Sequence, residues 1–175
     1  MIVLETERLI LRRLSTDDAE FVLELLNEPS FLRYIGDKGV RNLDDARQYI
    51  LNGPVASYEK NGFGLYLVAL KPDGTPIGIN GLVKRDTLPD PDIGFAFLPA
   101  YWSKGYAFES AAAVMNYARA VLGLTRILAI TSPDNEASAR LLDKIGLRFE
   151  RLIKLSEDAT EVKLFTPEGN VGPPS

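Results

Sequence analysis

The chain of 175 residues contains no cysteine and no histidine. Their absence excludes disulfides, thiolate nucleophiles, Ser-His triads, haem ligation and the usual zinc sites. Only carboxylates remain as metal ligands, and these would suit magnesium or calcium; we predict no metal cofactor. The lack of cysteine is compatible with a reducing cytoplasm, where we expect the protein to act.

The sequence also lacks an excess of positive charge and any long apolar run. Twenty Lys and Arg against 24 Asp and Glu give a formal net charge of −4. No basic block of five or six residues occurs, so we expect no nucleic-acid partner. No stretch approaches the roughly 18 uninterrupted apolar residues of a membrane span, and residues 1–11 lack the apolar core of a signal peptide. We therefore expect no membrane association.

The remaining composition is that of an ordinary globular domain, with 46% hydrophobic, 25% charged and 9% aromatic residues. At roughly 100–200 residues per domain, the length corresponds to one domain. We place this domain at residues 1–168. The end of the chain, residues 169–175, contains Gly and Pro and is predicted to be a flexible tail.

Hydrophobic periodicity and turn residues predict the order β-α-α-β-β-β-α-β-α-β-β. The first helix begins after Ser15, and the second begins after Asn42 and is expected to stop at residues 52–54. The longest helix spans residues 107–122 and ends at Gly123. The predicted strands are residues 9–14, 63–70, 77–83, 93–98, 126–131, 147–155 and 162–165. This order is typical of a mixed α/β sheet with helices on its faces.

The most informative segment is a short loop between a predicted strand and the longest helix. Its sequence is Trp102-Ser103-Lys104-Gly105-Tyr106-Ala107. Gly105 and Ala107 are small enough for a ligand to approach the backbone, and the first N–H groups of the helix have no internal partner. With the positive charge of Lys104, these features predict a diphosphate held mainly by main-chain amides. The structural alternative is that both small residues only allow a tight strand-to-helix crossing.

A second polar pattern lies at the start of the next predicted helix. Asn135 and Ser138 are three residues apart, so both side chains can face one ligand. The alternative is that Asn135 only caps the helix and that Ser138 is an exposed polar residue.

Together the two segments resemble the GNAT superfamily of N-acetyltransferases. The loop at residues 102–107 is similar to its acyl-CoA pyrophosphate loop. Asn135-x-x-Ser138, followed by Lys144-x-Gly146-Leu147, resembles the later helix that flanks pantetheine. The opening Glu5-Thr6-Glu7-Arg8-Leu9-Ile10-Leu11-Arg12 is similar to the RimJ/RimL type, the branch that acetylates ribosomal-protein N-termini.

The resemblance implies a GNAT-like α/β fold. Its sheet is mixed, mostly antiparallel and six- to seven-stranded, is splayed at the central strands, and has three to four helices packed on its faces. The resemblance also implies acetyl-CoA as the acetyl donor and an amine-bearing acceptor, either a protein N-terminus or a small molecule. Because members often dimerise, it points to a homodimer. The sequence determines neither the acceptor nor the oligomeric state, nor whether acyl groups larger than acetyl are used.

The resemblance assigns cofactor binding to the loop and its surroundings. The residues are Phe97, Leu98, Trp102, Ser103, Lys104, Gly105, Tyr106, Ala107, Asn135 and Ser138. A backbone N–H at Phe97 or Leu98, where the strand parts from its neighbour, is expected to stabilise the developing oxyanion. Leu142 stands where many relatives carry a Tyr thought to protonate the leaving thiolate. Ser138 is therefore the candidate for a hydrogen bond to that sulfur.

Without histidine, the base for attack of an amine on the thioester must be a carboxylate, a water relay or bulk solvent. Asp92, at the start of the strand that leads to the loop, is the candidate catalytic carboxylate. Asp86 in the preceding loop, and Tyr34 and Asp37 in the loop between the first two helices, are candidate acceptor-binding residues. The structural alternatives are a core position for Tyr34 and solvated carboxylates for the three aspartates.

Acetyl-CoA-dependent N-acetyl transfer by direct attack on the thioester is the leading hypothesis, and two other classes stay open. Leu142 in the Tyr position motivates a non-catalytic acyl-CoA-binding sensor or regulatory domain, which would bind the thioester without releasing CoA. In a structural or interaction domain both motifs would be packing devices, and acetyl-CoA would not bind.

Overall fold

A computed structural model describes residues 1–169, within which the chain forms eight β-strands and six α-helices. The strands are β1 Ile2–Glu5, β2 Leu9–Arg13, β3 Leu65–Leu70, β4 Pro76–Val83, β5 Asp92–Phe97, β6 Ala129–Thr131, β7 Arg148–Ile153 and β8 Val162–Thr166. The helices are α1 Ala19–Leu26, α2 Pro29–Tyr34, α3 Leu43–Ile50, α4 Ala56–Asn61, α5 Tyr106–Ala120 and α6 Glu136–Lys144. No helix in this part of the chain is both long and apolar enough to span a membrane.

The strands form two antiparallel sheets that meet at one point. The larger sheet has the order β1-β2-β3-β4-β5, and the smaller has the order β6-β8-β7. They join where Asp92 lies beside Leu128 in a parallel bridge. The Ile93 N–H donates to the Leu128 carbonyl at 2.9 Å, and the Leu128 N–H donates to the Pro91 carbonyl at 2.9 Å. Beyond this point β5 and β6 separate, which confirms the predicted mixed, mostly antiparallel, splayed sheet.

Alternation along the strands divides the core between the two faces of the larger sheet. Tyr66 and Val68 of β3 pack into one cluster together with α5 and α6. Leu67 and Ala69, which point to the opposite face, pack into a second cluster together with α1 and α3. Because helices cover both faces, the gap between β5 and β6 is reached from two helical layers.

The prediction that the second helix stops at residues 52–54 was wrong. The chain continues from α3 through a π-helical turn, Leu51–Val55, directly into α4. A wider turn tolerates Pro54 because fewer regular i to i−4 bonds are required there. Tertiary packing supports this segment, since Pro54 is buried and Tyr58 stacks on Tyr66 with ring centroids 5.6 Å apart.

The structure also has more elements than the six to seven strands and three to four helices expected, because β1, α2 and α4 were not predicted. The segment of β1 was not predicted as a strand, because it is short and half exposed. The strand predicted at residues 126–131 is reduced to β6, since only three of its residues pair with β8. Of the predicted tail, Gly169 donates its N–H to the Thr166 hydroxyl at 2.8 Å, and residues 170–175 lie outside the described residues.

Candidate active site

The gap between β5 and β6 opens into a cavity of about 490 Å³. Its walls come from both helical layers, with α1 and α2 on one side of the sheet and α5 and α6 on the other. Between them lie the backbone of β5 and the end of β6. The cavity therefore passes through the sheet, so two molecules can meet inside it from opposite faces.

The register of β5 decides which of its backbone groups face the cavity. Leu98 donates its N–H to the Ile77 carbonyl at 2.9 Å, so its amide faces β4. In an antiparallel ladder this orientation alternates, so the N–H groups of Phe95 and Phe97 face the gap. No acceptor within residues 1–169 bonds to them. This corrects the expectation for Leu98, whose N–H is occupied, and leaves Phe97 as the available donor.

Trp102 confirms the direction in which the backbone of Phe97 points. The indole Nε1 donates to the Phe97 carbonyl at 2.8 Å, and the ring lines the cavity. The N–H and C=O groups of one strand residue point to the same side, so the Phe97 N–H also faces the gap. With 47% of its surface exposed, Trp102 lies at the mouth of the cavity.

The loop that precedes α5 presents unpaired amides, as the sequence predicts. Gly105 has a φ of 85°, and α5 begins directly after it. In the described part of the chain, no backbone carbonyl accepts a hydrogen bond from the N–H groups of residues 103–107. Ser103 and Ala107 line the cavity, whereas Lys104 is exposed and lies outside the lining. The loop therefore offers an anion several donors beside the cavity.

At the start of α6 the two predicted polar residues both line the cavity, but their side chains make different contacts. The Asn135 side chain accepts a hydrogen bond from the Ser138 N–H at 3.2 Å, so it caps the helix. The Ser138 side chain lines the cavity, and its hydroxyl bonds to no residue of the described chain. Leu142, one turn further along, is buried and also lines the cavity.

The structure corrects the expected position of Asp92. This carboxylate is 1% exposed and lies where the two sheets meet, outside the cavity lining. It accepts a hydrogen bond from the Arg85 Nε at 3.0 Å. Burial raises the pKa of Asp92, because it outweighs the opposing effect of Arg85. A buried carboxylate paired with arginine outside the cavity is not placed to take a proton from an acceptor.

Only one of the three predicted acceptor-binding residues lines the cavity. Tyr34 of α2 does so. Asp37 lies outside it, where a hydrogen bond from Arg41 and the N–H of Gly39 lower the pKa of its carboxyl to about 2. Asp86 is exposed in the loop before β5 and also lies outside the cavity.

The sequence interpretation missed Glu28, which lies between α1 and α2 and lines the cavity. It occupies the N-cap position of α2, yet its side chain makes no capping bond. Asp134 pairs with Arg33 at 3.3 Å and Glu136 lies 3.9 Å from Arg140. Glu28 has no ion pair with any residue of the described chain. The one available signal was Pro29, which marks a helix start and so places Glu28 at a cap.

The charged residues that line the cavity are all acidic. Three carboxylates line it, and no Lys or Arg among residues 1–169 does. The rest of the wall is mostly apolar or aromatic. No group of three or more Asp or Glu in this part of the chain is arranged to hold a metal ion. Because Asp134 and Glu136 are paired with arginines, the Glu28 carboxylate is the one of the three that is available to a cationic group.

Comparison with known proteins identifies relatives of this fold and site. A family model described as an acetyltransferase (GNAT) domain matches residues 8–148. The chain is 32% identical over 154 residues to the uncharacterized N-acetyltransferase YoaA of Bacillus subtilis (strain 168), covering 87% of this chain and 86% of that protein.

Solved structures show the same architecture. A GNAT-family acetyltransferase from Bacillus anthracis is similar with a TM-score of 0.77 and 28% identity, covering 95% of this chain and 97% of that one. RimL, a ribosomal L7/L12 alpha-N-protein acetyltransferase in complex with coenzyme A, has a TM-score of 0.79 and 18% identity, with coverage of 95% and 97%. At that identity the likeness to RimL concerns the fold alone.

Proposed function

Because the chain belongs to the acetyltransferase (GNAT) family, we propose that it acetylates a primary amine that has no carboxylate next to it. The membership makes it an acetyl-CoA-dependent acetyltransferase. The acceptor that we propose is a protein N-terminus or a small-molecule amine. The observation that carries this proposal is the unpaired Glu28 carboxylate in a cavity without lysine or arginine.

The donor lies on the α5 and α6 side of the sheet. The unpaired amides of residues 103–107 hold its diphosphate, since a helix start favours an anion. Its pantetheine arm enters the gap, where Phe95 offers an unpaired N–H to an amide of the arm. The thioester carbonyl oxygen accepts a hydrogen bond from the Phe97 N–H. This donor stabilises the oxygen as it gains negative charge.

The acceptor enters from the α1 and α2 side, where Glu28 and Tyr34 line the cavity. The neutral amine nitrogen attacks the thioester carbon, and the carbon–sulfur bond then breaks to release the thiolate of CoA. The nitrogen loses its extra proton to the Glu28 carboxylate, directly or through water. Ser138 donates a hydrogen bond to the departing sulfur, which Leu142 cannot do.

The ionisation of the amine also bears on the acceptor. An α-amine has a pKa near 7.7–8.0, so a useful fraction is neutral at pH 7, whereas a lysine near 10.4 is almost entirely protonated. A carboxylate beside the amine, as in a free amino acid, would meet the like charge of Glu28. Peptide N-termini and carboxylate-free small amines therefore fit the cavity best. The opening similar to the RimJ/RimL type supports the protein N-terminus among these.

The test begins with binding and turnover on the intact chain. Acetyl-CoA at a hundred times its dissociation constant should stabilise the protein by about 2.7 kcal/mol, measured by thermal or chemical unfolding. Release of free CoA is then followed with a peptide N-terminus, a polyamine and a free amino acid. We expect release with carboxylate-free amines and little with the amino acid. Binding without release for every amine would favour the sensor hypothesis instead.

A pair of variants tests the acceptor side. Glu28→Gln should lower kcat/KM for the best amine by roughly a hundredfold, within the range of a lost general base, and leave acetyl-CoA binding unchanged. Glu24→Gln, on the exposed face of α1, is the matched control and should behave as wild type. Equal activity of the two variants would contradict the role of Glu28.

A further inference from the structure

The turn between β1 and β2 contacts the start of α5 through a cluster of polar side chains. Glu109, in the first turn of α5, accepts hydrogen bonds from the Arg8 backbone N–H at 3.0 Å and from Arg8 Nε at 2.7 Å. It also accepts a bond from the Thr6 hydroxyl. Arg8 donates from Nη1 to the Lys104 carbonyl at 3.1 Å, and its guanidinium lies 4.4 Å from the centre of the Tyr106 ring. One arginine therefore contacts both the loop and the helix that follows it.

The loop that Arg8 contacts has an unfavourable backbone conformation. Ser103 has a φ of 61° and is the one non-glycine residue of the described chain in the left-handed region. Such a conformation costs free energy in a residue with a Cβ, so contacts from outside the loop must hold it. A Cβ at Gly105 would lie 3.2 Å from Arg8 Nη2. The guanidinium thus lies directly against the loop backbone.

The bond to the Lys104 carbonyl determines where the next N–H points. The carbonyl is directed at Arg8. In a trans peptide the C=O and N–H groups point in opposite directions, so the Gly105 N–H points away from Arg8. This amide is one of those that we place at the diphosphate, and the Arg8 bond fixes its direction.

Arg8 also offsets a charge that would oppose the donor. Glu109 places a carboxylate in the first turn of α5, and a second anion bound at the same helix start would be repelled. Partial burial alone would raise the pKa of Glu109, but the hydrogen bonds from Thr6 and Arg8 outweigh it and lower that pKa. The carboxylate is therefore ionised at neutral pH. The Arg8 guanidinium compensates its charge at 2.7 Å.

We propose that Arg8 is a positioning residue for the acetyl donor. It directs the Gly105 N–H toward the diphosphate and neutralises Glu109 beside it. The inference rests on the proposed function, because it requires that the diphosphate of acetyl-CoA binds at this loop. It also explains the opening segment around Thr6 and Arg8, which the proposed chemistry does not otherwise use.

The test compares two donors that differ in the diphosphate. Arg8→Gln is assayed with acetyl-CoA and with S-acetylpantetheine, which carries the thioester but no diphosphate or nucleotide. We expect the KM for acetyl-CoA to rise about tenfold, as for a lost charge-assisted contact, and the KM for S-acetylpantetheine and both kcat values to stay within about twofold. A purely structural role would change both donors alike. Unchanged KM values, or equal losses with both donors, would overturn the proposal.

Two further variants separate the effect from general destabilisation. Arg12→Gln removes a guanidinium of β2 that pairs at 2.8 Å with Asp18, in the turn before α1, and it should leave both KM values unchanged. Arg8→Lys keeps the charge but cannot reach Glu109 and the Lys104 carbonyl together, so its KM for acetyl-CoA should be intermediate; a wild-type value would count against the proposal. If the wild-type enzyme has the same KM for both donors, the diphosphate does not contribute to binding, and the proposed diphosphate site is wrong.

Discussion

Leu142 and Ser138, one turn apart on α6, are the two side chains that bear on hydrogen bonding to the leaving sulfur in the proposed reaction. Leu142 is buried and supplies only apolar surface. Ser138 lines the same wall, and its N–H is already bonded to Asn135, which fixes the start of the helix. The free hydroxyl of Ser138 can therefore donate to the sulfur, although it is too weak an acid to protonate a thiolate fully at neutral pH.

Replacing Ser138 tests this role at the level of one hydrogen bond. Ser138→Ala should lower kcat about tenfold, because a bond to a charged group contributes roughly 1.5 kcal/mol. The KM for acetyl-CoA should change by less than about twofold in steady-state assays. Ser156→Ala is the control, since that residue is exposed between β7 and β8 and lies outside the cavity lining. A wild-type kcat for Ser138→Ala would exclude a role in thiolate departure.

Strand β5 has two different edges. Toward β4 it is fully paired from Asp92 to Phe97. Toward the second sheet, within the described residues, it is bonded only beside Leu128, and beyond that point the N–H groups of Phe95 and Phe97 face the cavity. One strand thus holds the sheet together with alternate residues and leaves the others available to a ligand. Because β6 separates from β5, the strand can pair with β4 along one edge and bind a ligand along the other.

Amide hydrogen exchange should reveal this alternation residue by residue. In the free protein, the N–H groups of Ala96 and Leu98 should exchange slowly and those of Phe95 and Phe97 quickly, because only the former have acceptors. Saturation with acetyl-CoA should slow exchange at Phe95 and Phe97 by about tenfold or more in NMR measurements. Ile93, bonded to Leu128, is the internal control and should be protected throughout. Protection of Phe97 without ligand would contradict the assignment.

Within the described residues, the backbones of the two sheets are paired at one point, which we call the joint. Asp92 and Leu128 form the bridge there, and Arg85 pairs with the buried Asp92 carboxylate. This joint is the closed end of the gap from which the cavity opens. The ion pair is therefore structural. Loss of this ion pair should lower the free energy of unfolding of the chain, whereas its effect on catalysis should be smaller and indirect.

Removal of Arg85 should destabilise the protein in a pH-dependent way. Arg85→Ala leaves Asp92 buried without its partner, which should cost about 2 kcal/mol in urea unfolding at pH 7, reduced by the partial exposure of the arginine. Burial already raises the pKa of Asp92, and loss of Arg85 raises it further. A group whose pKa is raised in the folded state contributes its full stability below its unfolded pKa, near 3.9 for Asp. That contribution is lost as the pH rises through the folded-state pKa. The deficit relative to wild type should therefore shrink as the pH falls from 7 toward 4.

A second substitution provides the control for this joint. The double variant Arg85→Ala with Asp92→Asn removes the unpaired charge, so it should recover part of the stability at pH 7 and lose the pH dependence. A deficit in Arg85→Ala that is the same at pH 7 and pH 4 would contradict the electrostatic account.

Much of the fold was accessible from local patterns. The periodicity at residues 107–122 predicted α5, the strands predicted at residues 63–70 and 77–83 correspond to β3 and β4, and the cap formed by Asn135 was one of the two interpretations offered for that residue. The resemblance carried by the loop at residues 102–107 predicted the splay. The continuous helix through Pro54 was missed, because packing of Tyr58 on Tyr66 outweighs the local preference of proline to end a helix.

The site was less accessible, because its geometry depends on distant parts of the chain. Sequence reasoning could not choose between Phe97 and Leu98, since pairing with Ile77 on another strand decides which N–H is free. It placed Asp92 at the cavity, where the structure has a buried ion pair with Arg85. It overlooked Glu28, which reaches the cavity only because α1 and α2 pack against β5.

By itself, then, the sequence determined most of the elements, the fold family and the loop of unpaired amides, since these depend on propensities and contacts within a few residues. Only the tertiary structure decided which groups face the cavity. Strand register, burial and ion pairing arise between residues far apart in the chain, as for Arg8 and Glu109. Local patterns therefore predicted where a donor would bind, and long-range packing determined which side chains and amides surround it.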